Sequence, residues 1–321
     1  MFLRLLLLTV IVMAGWFPGV AQSQGVRISY SGVSGQNLPF WVTYEAGLYK
    51  KHGLNAEMVL ISGGLTNIQA LLANEIAFTY LGGASPIQAI VQGGDLVILA
   101  SAYGLMPYGL IASKTIHAAA ELKGKRIAVS RLGGIEETAA RVALDKLGVG
   151  ARNVSFLQAG PDPVRIAAIE SGAAQATMLA PPGLFVATAR GLNLLADLGS
   201  LKIQYPTSVI AARRSYLTKD RAVAKKFLMA LVEGLQLYRQ NKTFAVQVLQ
   251  KFTKQASPEI LSQTYDYFSK NTPAMPLTDP EAIQDALPTD KPSNRRVEEF
   301  YDNSILEELA REGFMKAITN K

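Results

Sequence analysis

The sequence predicts an α/β fold of two similar lobes, each a parallel-rich sheet flanked by helices, joined by two extended strands. The first observation is an internal repeat. The segment starting at Ile68, IQALLANEIAFTYLGGASPIQAIVQGGDLVIL, aligns with the segment starting at Ile166, IAAIESGAAQATMLAPPGLFVATARGLNLLAD, at a constant offset of 166 − 68 = 98 positions. The second is that both copies alternate amphipathic helices with short apolar strands, which is typical of parallel sheets covered on both faces.

The repeat extends beyond these two segments. RISYS at 27 resembles RIAVS at 126, and MPYGLIAS at 106 resembles YPTSVIAA at 205. Matched alanines alone could arise by chance between apolar helices, but the same order of elements over about a hundred residues favours a true repeat. We therefore expect lobe 1 to comprise residues 26–110 and 209–321 and lobe 2 to comprise residues 111–208. The two hinge strands are expected to cross near Leu110–Ser113 and Ser208–Ala212.

Local patterns define several elements. The stretch NLPFWVTYEAGLYKKHG predicts a helix with Pro39 in its first turn and Gly53 at its end, followed by a strand from Leu54 to Leu60. Beyond Ala212 the pattern is mainly helical, and RAVAKKFLMALVEGLQLYRQ places one apolar face on a long helix. The proline-rich stretch 271–293 is expected to be loop.

The amino-terminal residues have the pattern of a secretory signal peptide. Arg4 precedes an apolar run from Leu5 to Phe17, and Pro18 leads to the small residues Gly19-Val20-Ala21. The run is shorter than the roughly 18 to 20 residues that a membrane span needs. A core helix with similar flanks is the alternative. We expect cleavage after Ala21, removal of residues 1–21, and a mature protein without stable membrane insertion.

Composition excludes several classes of site. The chain has no cysteine, which excludes disulfides, thiolate nucleophiles, cysteine zinc sites and a lipoprotein anchor. An exported protein without an anchor needs a compartment that retains it, which suggests a Gram-negative periplasm. The net charge of +7 is scattered and not interleaved with aromatics, so no nucleic-acid partner is expected. His52 and His117 stand outside any catalytic or metal-binding motif. We expect no metal, no cofactor and no enzymatic activity.

Six glycine-rich turns each follow a predicted strand and precede a predicted helix. They lie at residues 31–37, 62–64, 82–85, 130–134, 158–160 and 180–183. Open α/β sheets bind ligands at this carboxyl edge, so two facing lobes would place all six turns along one cleft. Helix N-termini there offer unpaired N–H donors to a polar, even anionic, small molecule.

The turn SRLGG can be interpreted either as part of a ligand site or as a purely structural turn. Gly133-Gly134 would let the backbone approach a ligand and Arg131 would add a charged fork, or the glycines only pack strand against helix. Glu136 and Glu137 occupy the same first helical turn, which leaves a zwitterion or a neutral heterocycle open as the ligand. Aromatic residues could stack on such a ring or belong to the core; these are Trp41, Tyr44 and Tyr103.

The motifs NLPFWVTYEAGLYKKHGLNAEMV, ELKGKRIAVSRLGG and RIAAIESGAAQATMLAPP, with the first repeat segment, resemble the substrate-binding proteins of ABC importers for nitrate, sulfonates and taurine. The same superfamily includes binders of thiamine pyrimidine precursors. The resemblance covers roughly residues 26–270. It implies a type II periplasmic-binding fold, closure around a ligand, and delivery to a membrane permease.

By motif position, the resemblance implies a set of ligand-facing residues. These are Gln36, Asn37, Gly63, Gly83, Ser85, Arg131, Gly134 and Pro182. The chain departs from the family at Ala77 and Gln175, where Asp is frequent, which would alter a structural hydrogen bond. It also departs at Glu136 and Glu137, where small hydroxyl residues are frequent, and this argues against a sulfonate or nitrate ligand.

The sequence thus predicts a monomeric periplasmic receptor that captures a small polar or anionic organic molecule for an ABC importer. The ligand could be sulfonate-like, nitrate-like or similar to a thiamine pyrimidine precursor. A ligand-sensing module for a membrane receptor is one alternative. A thiamine pyrimidine synthase-like enzyme is another, but those enzymes carry a cysteine-rich motif and lack an export signal.

Overall fold

The computed structural model describes residues 24–287 and 294–319 of the 321-residue chain. The predicted signal peptide, residues 1–21, lies outside the described residues, as does part of the stretch 271–293. Within the described ranges, no helix combines the length and the apolar character needed to cross a bilayer.

Ten strands form two five-stranded sheets in the described part of the chain. The first sheet contains β1 Gln24–Tyr30, β2 Leu54–Leu60, β3 Phe78–Leu81, β4 Val97–Leu105 and β10 Gln204–Ala212, in the order β2-β1-β3-β10-β4. The second contains β5 Gly109–Ala112, β6 Arg126–Val129, β7 Ser155–Gln158, β8 Ala176–Leu179 and β9 Asn193–Asp197, in the order β7-β6-β8-β5-β9. We call the first sheet and its helices the first lobe, and the second sheet and its helices the second lobe.

Helices cover both sheets. Those of the two repeats are α1 Leu38–Glu45, α2 Leu48–Lys51, α3 Gly64–Leu72, α4 Ala84–Val91, α5 Ile135–Lys146, α6 Asp162–Glu170 and α7 Gly183–Ala189. Those after β10 are α8 Arg214–Lys219, α9 Arg221–Gln240, α10 Lys242–Thr253, α11 Pro258–Ser269, α12 Pro280–Asp285, α13 Ser304–Arg311 and α14 Phe314–Thr319. The helical carboxyl-terminal region is confirmed. The prediction of loop throughout 271–293 is wrong at α12, where Asp279 caps the helix through the N–H of Glu281.

The sheet topology confirms the predicted repeat and the parallel-rich architecture. In both sheets the first three strands in spatial order are parallel, and the fourth, β10 or β5, is antiparallel to its neighbours. Equivalent backbone bonds recur, since Ala77 N–H donates to Arg27 O at 2.9 Å and Gln175 N–H donates to Arg126 O at 2.9 Å. The Gln175 side chain also accepts from Arg126 N–H at 3.2 Å, a bond that Ala77 cannot form in the first repeat.

Each repeat contributes its last strand to the sheet of the other lobe, β5 to the second sheet and β10 to the first. The chain enters the second sheet between Leu105 and Gly109 and returns to the first between Asp197 and Gln204. These crossings lie a few residues earlier than predicted, because β5 and β10 begin pairing with their new sheets at once. The residue ranges given above for lobe 1 and lobe 2, as units that move independently, stay a prediction.

The structure corrects one local prediction and decides between two interpretations of the aromatic residues. The helix predicted to continue to Gly53 is interrupted at Gly47, whose φ of +67° is left-handed backbone that glycine adopts without steric cost. Of the two interpretations given for Trp41, the structure supports the core, because Trp41 is buried and stacks on Phe252 with ring centroids 4.6 Å apart. Tyr103 is also buried, against Phe268.

The packing of α1 on α9 generates the first testable prediction. A Cβ at Gly234, in the middle of α9, would lie 2.7 Å from Thr43 Cβ and 3.0 Å from its Cα. Gly234→Ala should therefore lower the free energy of unfolding by about 1 to 3 kcal/mol, although alanine favours a helix, because overpacking outweighs propensity. Denaturant titration measures this. Gly104→Ala, where a Cβ meets nothing within 4 Å, is the matched control and should change stability by less than about 0.5 kcal/mol.

Candidate ligand-binding cleft

All six glycine-rich turns lie where the sequence predicted them. The turns at 31–37, 62–64 and 82–85 follow β1, β2 and β3, and those at 130–134, 158–160 and 180–183 follow β6, β7 and β8. Each sheet therefore presents three turns and the helix N-termini behind them at its carboxyl edge.

Direct contacts bring the two edges together. Gly35 N–H of the first lobe donates to Pro181 O of the second at 3.0 Å. The Arg131 guanidinium reaches across to Gly63, where a Cβ would lie 3.0 Å from Arg131 Cζ. These contacts bring turns of the two lobes against each other.

In the first lobe, Gln36 and Asn37 serve different purposes. Asn37 is 2% exposed and its Nδ2 donates to Gly32 O at 2.6 Å, so this amide closes the turn on itself. Gln36 is held through its backbone carbonyl, which accepts from Tyr80 at 2.9 Å. Its Oε1 is buried and lacks a partner among the described residues, which leaves an acceptor for a ligand.

Gly63, Gly83 and Ser85 form the rest of the first-lobe wall. Gly63 has a φ of +90° and Gly83 N–H donates to Pro206 O at 2.8 Å. A Cβ at Gly83 would collide with the same carbonyl, so both glycines are required by backbone geometry. The Ser85 hydroxyl lies against Gly64 in the first turn of α4, close to the cleft.

In the second lobe, the SRLGG turn leads into α5. Gly134 is the N-cap residue and its N–H donates to Arg131 O at 3.2 Å. Gly133 N–H donates to the Glu137 carboxylate at 2.8 Å, so Glu137 already occupies a donor that an anionic ligand would use. Pro182 similarly precedes α7 as its N-cap residue, next to the carbonyl of Pro181 that contacts the first lobe.

A charged cluster beside these turns was not singled out from the sequence. Arg165 of α6 is only 2% exposed. It donates through Nη1 to Met178 O at 2.8 Å and through Nη2 to the Asp162 carboxylate. Glu136 lies 3.9 Å from Nη2 and accepts from the Ser130 hydroxyl at 2.7 Å. The cluster thus brings two carboxylates and one guanidinium to the edge of the second sheet.

Burial and charge at this cluster shift the pKa of Asp162 and the pKa of Tyr108. Burial is the main cause that raises the pKa of Asp162, with Arg165 opposing it and Glu136 adding to it. Burial also raises the pKa of Tyr108 well above its usual value, followed by the charge of Glu136. A side-chain hydrogen bond from Gln36, on the opposite lobe, partly lowers it. The groups that shift this pKa belong to both lobes.

Sequence signals for the cluster exist but are weak. Asp162 and Arg165 are three residues apart in the first turn of a helix, a spacing that allows an ion pair, yet such pairs are usually solvated. Only the fold shows that Glu136, 26 positions earlier, joins them. Among the residues that the structure describes, no group of three or more His, Cys, Asp or Glu side chains is placed to hold a metal.

A profile described as NMT1/THI5 like matches residues 35–243, more than half of the chain. The chain belongs to the NMT1/THI5-like family. A protein of Brucella abortus (strain 2308), named as a binding protein, is 28% identical over 219 residues. The match covers 66% of this chain and 66% of the relative, just under two thirds of that relative's length.

Solved structures share the fold. A protein of Bordetella bronchiseptica RB50 superposes with a TM-score of 0.80 at 16% identity, covering 91% of this chain and 98% of the other. The alkanesulfonate-binding protein SsuA from Xanthomonas axonopodis pv. citri, bound to MOPS, gives 0.69 at 19% identity, covering 82% and 89%. Together with the strand orders, these likenesses confirm the expected periplasmic-binding fold.

The partly buried Asp162 carboxylate predicts an unusual pH dependence. Because the pKa of Asp162 is raised above its ordinary 3.8, the stability tied to its neutral form is present at low pH and lost as pH rises through the raised value. Asp162→Asn cannot ionise, so stability of the wild type relative to the variant should fall from pH 3 to pH 7. Chemical denaturation at several pH values measures the trend.

Glu308 is the control, because its contribution to stability should change with pH in the opposite direction. Lys225 and Arg221 lower the pKa of Glu308, whose contribution is present above its ordinary 4.5 and lost as pH falls. For Glu308→Gln, stability of the wild type relative to the variant should therefore rise with pH. Parallel trends for the two variants would contradict the assignment of Asp162.

Proposed function

We propose that this chain is a periplasmic solute receptor that closes around a small polar organic molecule and delivers it to an ABC importer. The observation that carries the proposal is the convergence of six helix-initiating turns from two sheets, with Gly35 and Arg131 contacting the opposite wall. Such a cleft encloses a ligand on both sides and excludes water, which strengthens each polar contact. Membership of a family with named binding proteins supports a binding role without catalysis.

The charges in the cleft favour a neutral or zwitterionic ligand over a simple oxyanion. Glu136 and Asp162 contribute two negative charges, which Arg165 and the rim residue Arg131 balance. Gln36 adds an unpaired acceptor. A ligand with N–H donors at one end and acceptors at the other satisfies these groups, whereas a sulfonate or nitrate would face the carboxylates. Of the three ligand classes expected from the sequence, a nitrogen heterocycle resembling a thiamine pyrimidine precursor fits best.

Sensing remains the second function compatible with this cleft. A receptor for a transporter and a ligand-sensing module would share the same closure, and they differ only in the membrane protein that they contact. An enzyme like the thiamine pyrimidine synthases is disfavoured because the chain has no cysteine from which to build their motif.

Native mass spectrometry of protein exposed to a low-molecular-weight cell extract tests the proposal. We expect one nitrogen-containing small molecule to be retained at one copy per chain and released on denaturation. Retention of a simple oxyanion would leave the receptor role standing but contradict the ligand class. No retained molecule from extracts of several growth conditions would contradict the receptor role itself.

Arg131 provides the matching mutational prediction. If its guanidinium bonds the captured compound in the closed cleft, Arg131→Ala should weaken binding by about 2 to 4 kcal/mol in calorimetry, because a charge-assisted bond is lost and its partner stays desolvated. The melting temperature without ligand should barely change, since the side chain is exposed. Arg131→Lys keeps the positive charge but removes the planar guanidinium, so it tests which of the two the ligand needs. Binding by Arg131→Ala within twofold of the wild type would remove Arg131 from the site.

A further inference from the structure

A second bridge between the lobes lies outside the ligand cleft. Tyr267 of α11, in the first lobe, donates its phenol proton to Asp197 Oδ1 at 2.9 Å. Asp197 is the last residue of β9 in the second lobe, immediately before the chain returns to the first sheet. The Tyr267 ring also meets Phe185 of α7 edge to face, with centroids 6.1 Å apart.

The acceptor is held in place without Tyr267. Asp197 Oδ1 accepts from Gly199 N–H at 3.0 Å and Oδ2 accepts from the Ser200 hydroxyl at 2.6 Å. The carboxylate is therefore fixed at the start of the return segment, and the phenol completes its coordination. A Cβ at Gly199 would lie 2.9 Å from Tyr267 Cζ and collide with the hydroxyl, so glycine is needed where the ring passes.

The same helix also supports the cleft. Two other residues of α11, Thr264 and Phe268, lie against Gly35, where a Cβ would be 2.7 Å from Phe268 Cε2. Gly35 is the residue whose N–H bonds Pro181 across the cleft. One helix thus touches the second lobe through Tyr267 and positions the turn that touches it again through Gly35.

We infer that Tyr267 and Asp197 form a latch that stabilises the closed arrangement of the two lobes and so sets how readily the cleft opens. Tyr267 is a positioning residue, because it acts on lobe geometry and does not line the turns that face the ligand. The inference rests on the proposed receptor function, in which the lobes separate and close. A hydrogen bond to a carboxylate contributes more than a neutral one, so its loss should shift the closed-to-open ratio by about tenfold.

Distance measurements without ligand test the latch directly. The chain lacks cysteine, so Gln69→Cys on α3 and Ala167→Cys on α6, exposed residues at equivalent positions of the two repeats, can carry the two spin labels of a pulsed electron paramagnetic resonance experiment. Tyr267→Phe keeps the ring and removes only the hydroxyl. We expect it to raise the population at longer distance relative to the labelled parent.

Two further variants distinguish a latch from general loosening. Tyr265→Phe removes a phenol of the same helix that donates to Tyr238 O and Arg239 O, both in the first lobe. This variant should therefore leave the distance distribution unchanged even if it lowers the melting temperature. Asp197→Asn should shift the distribution in the same direction as Tyr267→Phe, and the double variant should add little beyond Tyr267→Phe alone.

The outcomes are separable from those of the ligand experiment. Identical distributions for the parent and Tyr267→Phe would overturn the latch, whether or not a small molecule is captured. Equal shifts for Tyr267→Phe and Tyr265→Phe would also overturn it, because they would reflect loss of packing within α11. A failure to capture any small molecule, with the latch shift present, would overturn the receptor role and leave the latch standing.

Discussion

The exchange of strands β5 and β10 is the constraint on which the rest of the structure depends. Each sheet receives its fourth strand in spatial order from the end of the other repeat, and this strand runs antiparallel to both neighbours. The exchange fixes the lobes side by side with their carboxyl edges facing. Turns that are remote in sequence, such as those containing Gly35 and Pro181, therefore come within hydrogen-bond distance.

The cleft combines two kinds of polar group with different origins. Backbone donors at the helix N-termini follow from the fold itself and suit oxyanions. The side chains added by this chain oppose that tendency, since Glu137 takes the Gly133 N–H and Glu136 joins Asp162 around Arg165. In the proposed receptor, the fold would supply the general binding site and the carboxylates would restrict the ligands that it accepts.

Much of the fold was predictable because its signals are periodic and local. Residue types that recur at fixed spacings indicate the repeat, the strand-turn-helix order and the amphipathic face of α9. The break at Gly47 was missed because a left-handed glycine and a helical glycine look alike in sequence. Trp41 could not be assigned to core or cleft until Phe252, more than two hundred positions later, was placed against it. The same limit applies to the Glu136 cluster and to the Tyr267 bridge, whose partners meet only through tertiary structure.

The strand exchange also bears on the order in which the chain can acquire its structure. The first sheet contains residues from Gln24 to Leu105, yet the strand between β3 and β4 begins at Gln204. When the chain is delivered from its amino end, about a hundred residues must follow β4 before that gap can be filled, and such long-range pairing is slow. Until then β3 and β4 expose unpaired edges that invite aggregation. The edges of β3 and β4 therefore stay unpaired for longer than they would in a protein whose halves fold one after the other.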